Sequence, residues 1–88
     1  MKVVAVNRIL EAQERYPNAH QHLQGWYHIM RKSEFQSPEE LRKAFGYIRG
    51  FKNSFKFPIP ETTLLAITFI NFDAQVVLVD DVVDGNTD

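Results

Sequence analysis

The chain has no cysteine. A disulfide framework is therefore excluded, as is any thiolate that could bind a metal or attack a substrate. The absence fits a reducing cytoplasm. No apolar run approaches the length of a membrane span, and the opening stretch, residues 1–7, is too short for a signal-peptide core. A cytoplasmic protein without membrane association is the expectation. No Gly-rich phosphate loop, no activated serine arrangement and no fixed-period repeat is present. The most informative absence is of one charge sign. All ten Lys and Arg lie between Lys2 and Lys56, where they outnumber five carboxylates. Residues 57–88 carry no cation, only Glu61, Asp73, Asp80, Asp81, Asp84 and Asp88. A formal net charge of −1 thus hides a basic portion followed by an acidic one. Nucleic acid would be drawn to the first and repelled by the second.

What is present suits one small folded domain, residues 1–88. Eighty-eight residues can bury a core that stands alone by a narrow margin. Apolar and aromatic contents of 44% and 12% argue against disorder. Residues 3–6, with β-branched Val3, Val4 and Val6, read as a first strand. Asn7 is placed to cap a helix running to about Arg15, with Ile9, Leu10 and Tyr16 as its apolar stripe. Tyr16-Pro17-Asn18 breaks it, and Asn18 with Gln21 can start a second helix, whose buried face is Ala19, Leu23, Trp26, Tyr27 and Met30. Ser37-Pro38-Glu39-Glu40 is a capping box with proline at the first helical position. Leu41, Ala44 and Phe45 continue the third helix inward, Arg42 and Lys43 point outward, and Gly46 is a stop.

From Tyr47 the pattern turns to strands. Pro58-Ile59-Pro60 must end a strand or occupy a turn. Residues 62–70 are apolar on both faces, which predicts a central strand. Asn71-Phe72-Asp73 is a turn, residues 75–79 pair back with Val82-Val83 as an extension, and 84–88 form a fraying acidic tail. The order predicts an α+β sandwich: an N-terminal strand, two or three helices, then an antiparallel meander.

Few residues carry candidate chemistry. His20 and His22 do not share a helical face, and His28 is misplaced too, so no metal site is expected. Asp80, Asp81 and Asp84 lack a Ca²⁺-loop spacing and read as a solvated acidic end that discourages edge pairing. Arg42, Lys43, Arg49, Lys52 and Lys56, interleaved with Tyr47, Phe51 and Phe55, form the one basic–aromatic stretch. It can contact RNA through phosphates and base stacking. The alternative is a solvated helix followed by an amphipathic strand with its Phe residues in the core.

The order of these features resembles the HigB-type toxins of the RelE-like superfamily. The resemblance is carried by the Tyr16-Pro17 break, Trp26-Tyr27 and Phe35 before Ser37-Pro38. It continues through Phe45, Phe57 and the long strand, and ends in Asn71-Phe72-Asp73-Ala74-Gln75-Val76-Val77. It implies a small α+β fold, cleavage of messenger RNA on the ribosome without a cofactor, and an antitoxin partner. Such cleavage uses the RNA 2′-hydroxyl as nucleophile, with protein cations holding the phosphate charge and a proton donor or acceptor nearby. The family's Tyr-Arg pair in the long strand falls on Leu64 and Leu65. Its further basic positions fall on Phe69 and Asp80, its glycine-asparagine turn on Pro60-Glu61-Thr62-Thr63, and its terminal motif on residues 84–88.

Three readings follow. An active ribosome-dependent mRNA endoribonuclease would need a site built from Arg42, Lys43, Arg49, Lys52 and Lys56. A toxin-like scaffold with weakened or lost activity would act by protein binding through Leu65, Ile67, Phe69, Asp80, Asp81 and Asp84, toward an antitoxin, another protein or itself. A phage- or plasmid-type inhibitor would use the acidic end against a basic target. The missing cations favour the second.

Overall fold

A computed structural model describes residues 1–85, apart from the side chain of Phe51. The element order is β1 (Lys2–Val4), α1 (Val6–Arg15), a 3₁₀ turn at Pro17–Ala19, α2 (His20–Lys32), α3 (Pro38–Phe45), β2 (Arg49–Phe51), β3 (Ser54–Pro58), β4 (Leu64–Asn71) and β5 (Val76–Asp84). The five strands form one sheet in the order β1-β5-β4-β3-β2. The last four make the antiparallel meander, and β1 joins its far edge parallel to β5. A single helical layer covers one face, so the α+β reading holds.

Burial follows from the strand period. Leu64, Ala66, Thr68 and Ile70 of β4 are buried, as are Phe55 and Phe57 of β3 and Val77, Val79 and Val82 of β5. Ile9, Leu23, Trp26, Met30 and Leu41 descend on them from the helices. Four aromatic rings lock the helices to β3. Trp26 meets Phe57 edge-on at 5.5 Å, Phe45 meets Phe57 at 5.1 Å, and Phe35 lies 5.7 Å from Phe45. Such pairs contribute about 0.5–1.5 kcal/mol each beyond their burial. The buried Thr68 hydroxyl is satisfied by the Phe55 carbonyl at 2.9 Å.

The third helix starts at Ser37, as expected, but only half of the capping box forms as predicted: the Glu40 carboxylate accepts from the N–H one residue before the cap. Ser37 Oγ accepts from the Glu40 backbone N–H at 3.4 Å, and Glu40 Oε1 reaches back to the Gln36 N–H. Gly46, at φ 78°, ends it. The first two helices start differently from expectation. Ala5, in a left-handed conformation, occupies the N-cap position of α1 without a side-chain cap bond, and Asn7 lies exposed one residue inside. Asn18 is absorbed into the 3₁₀ turn and makes no cap bond, because that turn already leads the backbone into α2. The stripe of α1 also runs through Ile9, Ala12 and Gln13, leaving Leu10 55% exposed. Ala44 is exposed as well. Gln13 tolerates burial because its Nε2 donates to the His20 carbonyl at 3.0 Å and to Gln24 Oε1 at 3.1 Å.

The β4–β5 turn is held by side chains. Asn71 Oδ1 accepts from the Ala74 N–H at 3.0 Å. Gln75, at φ 56°, donates its amide to the carbonyls of Phe35 at 2.7 Å and Phe72 at 2.8 Å. Its own carbonyl accepts from the Lys2 N–H at 2.8 Å. One residue thus ties β1, the turn and the approach to α3 together. Two features of β5 go beyond the sequence reading. The strand runs through Asp84, which pairs with Leu64, and the Gly85 N–H donates to the Thr63 carbonyl at 2.7 Å. The rest of the expected tail, 86–88, lies outside the described residues. The strand also carries a bulge: Thr68 faces Val79 and Ile67 faces Asp81, so Asp80 has no partner.

Candidate functional site

The helix-free face of the sheet is where strand parity sends the remaining side chains. Register places Arg49, Lys56, Ile67 and Asp81 in one row across it. The adjacent row runs Ser54, Phe69, Leu78 and Val4, and on the other side Pro58, Leu65 and Val83 line up. Two of these rows hold no charge. Phe69 is 44% exposed, Leu78 41% and Val4 37%, so this apolar strip faces solvent. Leu65 and Ile67 are half-buried beside it.

The six expected partner-binding residues therefore divide. Leu65, Ile67, Phe69 and Asp81 share the open face. Asp80 stands exposed at the bulge. Asp84 pairs with Leu64 and falls on the helix-bearing side, half-buried. The bulge does not explain that difference alone; Asp84 lies three residues beyond Asp81, an odd step in a period of two. An acidic cluster acting as one surface is thereby broken up.

The five basic candidates divide as well. Arg49 and Lys56 are direct cross-strand neighbours. Arg42 and Lys43 sit exposed on α3, outside the sheet, and Lys52 occupies the β2–β3 hairpin turn at φ 56°. Arg49 and Lys56 line a groove of about 310 Å³ with Tyr47, Pro58, Thr62, Thr63 and Leu65. Tyr47 is 73% exposed. Like charges directly opposite on a sheet cost stability, and among the described residues neither cation has an ion pair. Their juxtaposition is a feature that an external anion would relieve. Chemically, the groove offers two cations for phosphate or carboxylate and one phenol that can stack or exchange a proton.

Sequence reasoning left Tyr47, Leu78 and Val4 out of the site. Tyr47 was visible as part of the basic–aromatic stretch. Val4 and Leu78 could have been found only with the parallel β1–β5 pairing in hand, which no local signal announces. A hollow of about 370 Å³ lies beyond the same Thr62-Thr63 loop, against Arg15, Tyr16 and Asn18. His22 approaches Glu61 there at 3.7 Å. Among the described residues no group of three His, Asp or Glu converges as a metal site would require. None of their helices is long and apolar enough to cross a membrane.

A covered sheet with one bare face, three helices and a C-terminal meander is compatible with the RelE-like toxins. The profile of the HigB_toxin family, described as the RelE-like toxic component of a toxin-antitoxin system, matches residues 19–84. The chain belongs to that family, which implies an antitoxin partner. It is also similar to the mRNA interferase HigB of Escherichia coli O6:H1 (strain CFT073). The identity is 29% over 75 residues, covering 82% of this chain and 73% of that protein.

Proposed function

We propose that this HigB-family protein acts by binding protein through the open face of its sheet, with its mRNA interferase activity weakened or lost. The observation that supports the reading is the solvent-facing strip of Val4, Phe69 and Leu78, with half-buried Leu65 and Ile67 beside it on the same face. The resemblance puts the family's cations on three positions of this region, Leu65, Phe69 and Asp80. Cleavage by the RNA 2′-hydroxyl builds negative charge on a phosphate that those cations would hold. Removing one preorganised donor lowers a rate by about 100-fold or more, and a carboxylate in place of a cation repels the phosphate outright. The same strip, desolvated against another protein, would contribute a transfer term of roughly 25 cal/mol per Å², against which the entropy cost of association is set.

A second reading has one observation in its favour. The Tyr47–Arg49–Lys56 groove holds two cations and a phenol at one place, which is the minimum equipment for a displaced RNA site. The experiment that separates the readings is mRNA cleavage in a translating extract, read by primer extension, using the purified protein. The expected result is no cutting, or cutting at least ~100-fold slower than by a HigB relative that retains the cations. Robust cutting that disappears in the Arg49→Ala/Lys56→Ala variant would overturn the protein-binding reading and install the second.

A further inference from the structure

We infer that the open face pairs with a second copy of this chain, in a two-fold dimer that sets Lys56 of each copy over Asp81 of the other. The inference rests on the reading of that face as a protein-binding surface and supplies the occupant. Its basis is the row Arg49–Lys56–Ile67–Asp81. Cations stand on one side of β4, a carboxylate on the other, and an aliphatic side chain lies between. Rows above and below hold no charge. A surface patterned in this way is complementary to itself under one rotation, which is the requirement of an isologous interface.

Two-fold axes in the plane of the interface can run along the strands or across them. An axis across the strands lays Lys56 on Lys56 and Asp81 on Asp81, and is repulsive. An axis along β4 exchanges the β3 and β5 sides. Leu65, Ile67 and Phe69 then stack on their own counterparts, and each Lys56 meets an Asp81. The exposed Asp80 stands beside it, where Arg49, one strand further out, can reach. Facing sheets pack about 10 Å apart, a gap that a lysine and an aspartate can span together. Aligned sheets also rotate by about 30°. One strand spacing of ~4.8 Å from the axis, that rotation displaces Lys56 by only about 2–3 Å. Among the described residues Arg49, Lys56, Asp80 and Asp81 make no ion pair within the chain. Asp81 accepts from the Val82 N–H at 2.8 Å, which fixes its carboxylate without neutralising it.

The footprint is small. Four strands by about six residues give roughly 20 Å by 20 Å, at or below the ~800 Å² per partner of a standard interface. The dimer should therefore dissociate in the micromolar range or above, and salt should weaken it.

Sedimentation equilibrium across the micromolar range, at low salt and at about 1 M salt where screening reaches ~3 Å, tests this. The expected result is a salt-sensitive dimer. Lys56→Asp should weaken it at least tenfold, and Lys56→Asp combined with Asp81→Lys should regain most of that loss. Phe69→Lys, which places like charges near the axis, should weaken it as well, with far-UV circular dichroism confirming that each variant is folded. A monomer at every concentration overturns the inference, and so does a dimer indifferent to Lys56→Asp and to the exchange. A monomer that also fails to cut mRNA removes the dimer and leaves the protein-binding reading standing. Robust cutting removes that reading whatever the state of association.

Discussion

Gln75 is the residue whose removal tests the architecture most directly. Its amide donates to the carbonyls of Phe35 and Phe72, two segments 37 residues apart by their own numbering, and its backbone sits at φ 56°. The two acceptors identify the donating end of the side chain, since a carbonyl needs an N–H opposite it. Its Oε1 is buried without a donor among the described residues. Gln75→Ala deletes two hydrogen bonds worth about 0.5–1.5 kcal/mol each and strands two partly buried carbonyls. Loss of the unpaired Oε1 offsets part of this, leaving a destabilisation of about 2 kcal/mol. For a chain of this size, that lowers Tm by roughly 8–16 °C. Gln75→Gly deletes the same bonds but relieves the left-handed backbone, which disfavours alanine by about 1–2 kcal/mol. It should therefore be the more stable of the two variants. Gln75→Glu keeps the shape, removes both donors and faces a carboxylate with two carbonyls, so near neutral pH it should be the least stable of the three. Urea denaturation followed by circular dichroism and by fluorescence of the buried Trp26 measures each difference from the midpoint at constant m. An alanine variant within about 0.5 kcal/mol of the parent would refute the reasoning, and so would a glycine variant less stable than the alanine one.

Other perturbations follow from packing. Phe57→Ala removes a fully buried ring that meets both Trp26 and Phe45, and should cost about 3–5 kcal/mol. Total stabilities are about 5–15 kcal/mol, so the urea midpoint should fall by a large fraction. Gly50→Ala brings a methyl group to 2.6 Å from two atoms of the Phe55 ring, itself 2% exposed. The expected cost is about 1–3 kcal/mol, with changed chemical shifts at Arg49 and Lys56, whose strands that ring supports.

Much of the fold could be read before the structure. The third helix announces both its ends, through Ser37, Pro38 and Glu40 at one and Gly46 at the other. The strand pattern gave β4 its central place. Asn71-Phe72-Asp73 marked the turn, and the resemblance supplied the partner class. The misreadings share a cause: local signals compete with the tertiary frame. Asn7 and Asn18 are good caps by residue type, yet the chain leaves β1 through a left-handed Ala5 and enters α2 from a 3₁₀ turn. Asp84 reads as tail but is held by pairing with Leu64. The candidate site was partly legible. The apolar parity of Leu65, Ile67 and Phe69 was visible from the sequence, because a strand alternates. That Arg49 faces Lys56 depended on a hairpin turn at Lys52 whose residues are not the usual glycine-containing pair. The placing of Val4 beside Leu78 depended on a contact between residues separated by nearly the whole chain.

The unpaired Asp80 makes β5 one residue longer than the sheet requires. Val79 points into the core and so does Val82, three positions on, where a regular strand would have placed Asp81. The extra residue absorbs that offset. Excising Asp80 would leave Val79, Asp81 and Val82 in simple alternation opposite Thr68, Ile67 and Ala66, with every inward and outward assignment preserved. Excising Val79 instead would drive Asp80 into the core. A single-residue deletion inside a strand is ordinarily ruinous, but here removal of one of the two consecutive aspartates is expected to fold and removal of Val79 beside them is not. Insertion and deletion in this strand thus have a permitted address, through which length can change without disturbing the face on either side.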